Sequence, residues 1–172
     1  MLPEDLDGLY FGGGYPEVYA KQLAFNTGML DSIRRAAGNG LPIYAECGGL
    51  IYLAGAIDEH PVAGLFPGVA RLLPKRKALG YREVVLQADC LLGPAGTTLR
   101  GHEFHYSELA LPEHVERVYR VAARGGREHF SEGFVTGSVL GSYIHLHFGS
   151  HPQAAGHLVA ACRNNKEKVV NG

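Results

Sequence analysis

The stretch YAECGGLIYL, residues 44–53, sets a cysteine between an apolar run and two glycines. Ile43-Tyr44-Ala45 before it and Leu50-Ile51 after it mark a strand running directly into a helix. A side chain at such a bend is pushed above the sheet, and glycines beside it let a reactant approach the backbone. Free N–H groups at the start of the helix favour a thiolate over a thiol. Cys47 thus has the setting of a nucleophile, and its chemistry would be acyl transfer through a thioester. A small buried hydrophobe is the plain alternative. Cys90 and Cys162 lack any such turn, and Cys162 stands at helical spacing from Leu158, which reads as core.

A nucleophilic thiol needs a base, and acyl chemistry needs donors for an oxyanion. YIHLHF, residues 143–148, offers His145 and His147, which face the same side if the segment is a strand. The N–H of Gly48 is the natural first oxyanion donor, and Gly13 and Gly14 in GGGYPE, residues 12–17, could supply a second from a neighbouring loop. Triple glycines also suit phosphates, but this loop lacks the lysine and hydroxyl of a nucleotide-binding P-loop. GHEFHYS, residues 101–107, could complete a metal set through His102, Glu103 or His105. Its second histidine comes two positions too early for a zinc HExxH motif, and no metal is assigned.

These residues need a scaffold. DGLYFGG (7–13) reads as a buried strand ended by glycines, and residues 16–40 read as two helices divided at Asn26-Thr27-Gly28. LPIYAE (41–46) is the next strand, and a helix over 48–57 follows it. This alternation implies a parallel sheet covered by helices. From about 62 to 122 the chain changes to short strand-like segments: 68–73, 81–88, 97–109 and 115–122. They predict an antiparallel meander added to that sheet. Residues 133–148 hold one or two further strands, 151–165 a last helix, and the tail is expected to fray.

With 172 residues, a net charge of −1 and 46% hydrophobic residues, the chain reads as one soluble domain. Its largest basic cluster is PKRK at 74–77, which argues against a nucleic-acid partner. Three cysteines with no CxxC spacing imply neither a disulfide framework nor a thiolate zinc site and suit a reducing, cytoplasmic setting. No run approaches the ~20 apolar residues of a membrane span, so no membrane partner is expected.

YAECGGLIYL, GGGYPE, GHEFHYSE and GSYIHLHF together resemble the glutaminase domains of the cobyrinate a,c-diamide synthase family. These form part of the cobalamin-pathway branch of class I (triad-type) glutamine amidotransferases. The resemblance implies an α/β fold of flavodoxin-like type: a mixed sheet with helices on both faces and an antiparallel β extension. It implies that Cys47 attacks the carboxamide of glutamine, that His145 raises its nucleophilicity, and that Gly13, Gly14 and Gly48 hold the oxyanion. It also implies no cofactor in this domain. ATP and Mg²⁺ would act in a synthase domain that amidates the a and c carboxylates of a corrinoid. A nickel-sirohydrochlorin enzyme, an inactive domain of this fold and a histidine-rich metal module are the rival readings.

Two departures accompany the resemblance. Triad-type relatives carry an orienting glutamate two residues after the histidine, where this chain has His147. Glu103 and His147 are the expected substitutes. The relatives also place a synthase domain, a strand and a helix before the segment matching DGLYFGGG. Residues 1–172 are therefore expected to be a fragment, with an empty position beside the first strand through which copies could associate.

Overall fold

The computed structural model of the chain describes residues 1–123, 126 and 128–171, with side chains described as far as residue 167. Strand β1 (Leu9–Phe11) leads through a 3-10 turn (Pro16–Tyr19) into helices α1 (Ala20–Phe25) and α2 (Thr27–Gly38). β2 (Ile43–Glu46) feeds α3 (Gly48–Leu53), which is followed by β3 (Ala54–Ile57), β4 (His60–Pro61) and β5 (Phe66–Leu72). Next come β6 (Ala78–Leu86), β7 (Thr98–His105), β8 (Ser107–Leu109) and β9 (Glu116–Ala123). β10 (His129–Thr136), β11 (Val139–Ser142), β12 (His145–Leu146) and α4 (Gln153–Asn171) complete the order. The tail expected to fray continues α4 as far as Asn171, and Gly172 lies outside the described residues.

Eight strands form the main sheet in the order β1-β2-β11-β10-β9-β6-β7-β12. β1, β2 and β11 run parallel, and the remaining pairs are antiparallel. The two ends differ for a physical reason. β2 and β11 are buried at every residue, as strands covered on both faces must be. Along β6 and β7 burial alternates, so that one face is solvated. Among the described residues β1 pairs only with β2 and is an edge strand.

Asn26 divides α1 from α2 as the sequence implies: its side chain accepts the Met29 N–H at 3.3 Å and caps α2. The helix expected over 48–57 stops at Leu53 instead. Ala54 turns extended (φ −66°, ψ 174°), and residues 54–57 become β3, paired with β4 and β5. A short apolar run of this kind does not reveal its period, and pairing with β5 decides it. β3, β4, β5 and β8 form a second, four-stranded sheet that the sequence reading merged into a single meander.

The main sheet separates two cores. Ile33, Ile43, Leu50, Leu53, Phe66 and Val139 lie in one, and Tyr44, Val84, Leu99, Val121 and Leu140 in the other. Successive residues of β2 point into different cores, so Ala45 and Cys47 belong to the first, while Tyr44 belongs to the second and bonds Glu46 there.

Candidate active site

Cys47 occupies the bend between β2 and α3 with φ 48° and ψ −104°, a backbone region that L-residues seldom enter. Its surroundings fix it there. The Cys47 N–H donates to the Ser142 carbonyl at 2.7 Å, extending the β2–β11 pairing, and its own carbonyl accepts from Ile51 at 3.1 Å to start α3. The following glycines are needed for close approach. A Cβ on Gly48 would overlap the backbone of Gly14, and one on Gly49 would overlap the Phe11 carbonyl. The glycine loop and the bend are thus pressed backbone to backbone.

The thiol is 6% exposed, and Sγ lies 3.7 Å from the Phe104 carbonyl oxygen. Burial pushes it up to about 11; the Gly48 N–H pulls it down, and the charges of Glu17, Glu46 and Glu103 add to the rise. The thiolate expected from the helix start is therefore not the resting state. α3 has only six residues, and its N-terminal field does not offset the lost hydration of the sulfur.

His145 reaches this region from β12, opposite His102 of β7. The two rings stack with centroids 4.7 Å apart and planes within 4°. Gly13 lies against the His145 ring, where a Cβ would overlap Cε1. Nδ1 is 3.9 Å from Glu46 Oε2. Burial holds the imidazole below its usual range; Glu46 opposes that, and His102 and His105 reinforce it. The ring is neutral at neutral pH, as a base must be. Cys47 and His145 share no hydrogen bond among the described residues. Gly13-Gly14 spans the space between them, Gly13 touching His145 and Gly14 touching the residue after Cys47.

Glu103 does not join this group. Its carboxylate bonds Arg82 Nε at 2.7 Å and His105 Nε2 at 2.8 Å. His105 Nδ1 in turn meets the Ser107 carbonyl at 2.7 Å, and its ring stacks on Tyr143 at 3.9 Å. Burial would raise Glu103, but the hydrogen bonds and charges of His105 and Arg82 reverse this and hold it below the usual carboxylate range. Strand alternation puts Glu103 and His105 on one face of β7 and His102 on the other. His147 is exposed and lines a groove of about 430 Å³ with His145, His102, Tyr81 and Arg100. No three His, Cys, Asp or Glu side chains converge as a metal set among the described residues.

Two carboxylates that sequence reasoning passed over stand at the site. Glu46 is 4% exposed at the end of a fully buried strand; that placement, legible in IYAEC, was the available signal. Glu132 is buried beneath the turn that leads to His145, and accepts from Gly133 N–H (2.6 Å), Ser142 Oγ (2.6 Å) and Tyr143 N–H (2.7 Å). Nothing local in its sequence marks it.

A protein named cobyrinate a,c-diamide synthase from Syntrophotalea carbinolica is 45% identical over 170 residues, 94% of this chain and 37% of the relative. One of the same name from Dehalococcoides mccartyi (strain CBDB1) is 43% identical over 162 residues, 90% of this chain and 35% of the relative. The chain thus spans about a third of the length of these relatives. In fold it is similar to a solved glutamine amidotransferase (TM-score 0.66, 22% identity, covering 92% of this chain and 80% of the other). It is also similar to a chain of PurLQS from Thermotoga maritima (TM-score 0.64, 17% identity, covering 95% and 82%). Among the described residues no helix is long and apolar enough to cross a membrane. Residues 1–153 match the CobB/CobQ-like glutamine amidotransferase domain, and the chain belongs to that family.

Proposed function

We propose that this domain hydrolyses glutamine and that its ammonia serves the amidation of the a and c carboxylates of cobyrinic or hydrogenobyrinic acid. The observation that carries the reading is the reach of one glycine loop: Gly13 lies on the His145 ring and Gly14 on Gly48, beside Cys47. As glutamine binds, His145 takes the proton of the buried thiol and Sγ attacks the carboxamide carbon. The N–H groups of Gly48 and of the Gly13–Gly14 loop stabilise the oxyanion. The imidazolium returns the proton to the departing nitrogen as the C–N bond breaks, leaving a thioester and ammonia. Water, deprotonated by His145, then releases glutamate and the thiol.

The relatives' name supports assigning the ammonia to the synthesis of a cobyrinate a,c-diamide; the ATP and Mg²⁺ that would activate the corrinoid carboxylates are assigned to a synthase portion on the sequence resemblance alone. No residue of this chain is assigned to ATP, Mg²⁺ or the corrinoid. The test is Cys47→Ser in the enzyme carrying this domain. Glutamine-dependent amidation should fall at least ~10³-fold while amidation from free ammonia persists. Loss of both together would contradict the assignment.

A further inference from the structure

Glu46 is the strongest feature near the thiol that the triad pattern does not contain. It precedes Cys47, yet its side chain turns into the opposite core, where three donors hold it. Oε1 accepts from Tyr44 Oη at 2.7 Å and from the Leu146 N–H at 2.9 Å, and Oε2 accepts from Tyr10 Oη at 2.7 Å. The rings of Tyr10 and Tyr44 stack at 5.5 Å with planes 8° apart, so the two phenols form one rigid clamp. A carboxylate offers about four acceptor positions, and three are filled. The remaining one is on Oε2, the oxygen 3.9 Å from His145 Nδ1.

We propose that Glu46 is the positioning residue for His145, replacing the glutamate that triad-type enzymes carry two residues after the histidine. This rests on the glutaminase reading above. Glu46 holds His145 in two ways. It grips the backbone N–H of the next residue, which fixes where β12 begins, and its charge faces Nδ1. At 3.9 Å the second contact is electrostatic rather than a hydrogen bond, and it favours a proton on Nδ1. Nε2 is then left with its lone pair free to accept a proton.

Among the described residues no other ion-pair partner stands against His145. The ring's neighbours are His102 on its stacked face and His147, Arg100 and Tyr81 around the shared groove, and His105 acts on it through charge. Glu46 is the one carboxylate paired with His145 among the described residues, Glu103 being held by Arg82 and His105. Burial, then the hydrogen bond and charge of Glu46, raise the Tyr10 hydroxyl well above its ordinary range, so it remains a donor to Glu46. The Tyr10 contact therefore persists across the working pH range.

The test reads the His145 ring directly, by nitrogen NMR of the labelled chain across pH, together with glutamate release. In the wild type the neutral ring should carry its proton on Nδ1. In Glu46→Gln the titration midpoint should drop, because the charge that favoured the imidazolium is gone. Both tautomers should appear, and kcat should fall about 10²-fold with its acid limb at lower pH. Glu46→Asp, which keeps the charge but withdraws it, should lie between. A wild-type ring protonated on Nε2 overturns the proposal even if no variant folds, as does an unchanged midpoint in Glu46→Gln. Cys47→Ala separates the two claims: a wild type that releases no more glutamate from glutamine than Cys47→Ala does sinks the reading of a Cys47-dependent glutaminase, whatever the tautomer.

Discussion

Cys47 Sγ lies 3.7 Å from the carbonyl oxygen of Phe104, a group that can accept a proton donor but would repel a sulfur anion. The resting nucleophile is therefore a thiol, held neutral by burial and aimed at an acceptor. Iodoacetamide modification of Cys47 should be slow at pH 8 and accelerate toward a midpoint of about 11, read by peptide mass spectrometry. A midpoint below 8 would mean that a thiolate is already formed before substrate arrives.

Gly13→Ala puts a methyl group where the His145 ring stands, whereas Gly12→Ala opens into unoccupied space. Displacing the base by about 1 Å costs on the order of 10² in rate. Glutaminase assays should show that loss for Gly13→Ala and little change for Gly12→Ala. Because Gly13 is exposed, thermal melts of the two variants should agree within a few degrees. Equal activity in both would separate the loop from the base.

Glu103 and Glu132 oppose each other in pH. Glu103 titrates below its ordinary value when folded, so its contribution is present above that value and is lost as pH falls. Breaking its buried pair with Arg82, as in Arg82→Met, should cost about 3–5 kcal/mol at pH 7 by urea titration. A loss below 1 kcal/mol would show that the pair is solvated.

Burial raises Glu132 from 4.5 to about 7, although Ser142, Tyr143 and Gly133 donate to it and pull the other way. Its protonation therefore favours the folded state. That contribution is complete below pH 4.5 and is lost as pH rises through 7. The stability of the wild type minus that of Glu132→Gln should decline by up to about 3 kcal/mol across this window and be flat above it. A difference that does not vary with pH contradicts the assignment.

The parallel half of the fold was legible because its signals are local. Asn26 breaks and caps, Ile43–Ala45 is continuous apolar strand, and two glycines follow Cys47. The four-stranded sheet was not legible. Residues 54–57 carry no period of their own and become strand by pairing with β4 and with β5, which begins at Phe66. At the site, His145 could be named from its motif and Glu103 from its neighbourhood, but the carboxylate that faces His145 is Glu46, 99 positions earlier. Only the sheet order, which sets β2 beside β11 and brings the chain round to β12, makes that pair. Glu132 became visible for the same reason: its three donors lie in the tertiary structure of one turn.

The central claim is that glutamine reaches the Cys47 sulfur and that His145 activates it there. The direct measurement is labelling with a glutamine chloroketone at neutral pH, with the modified cysteine located by peptide mapping. The account predicts stoichiometric modification of Cys47, protection by glutamine, sparing of Cys90 and Cys162, and a rate reduced about 10²-fold or more in His145→Ala. Modification spread over all three cysteines, or a rate at Cys47 unchanged by His145→Ala, would contradict it.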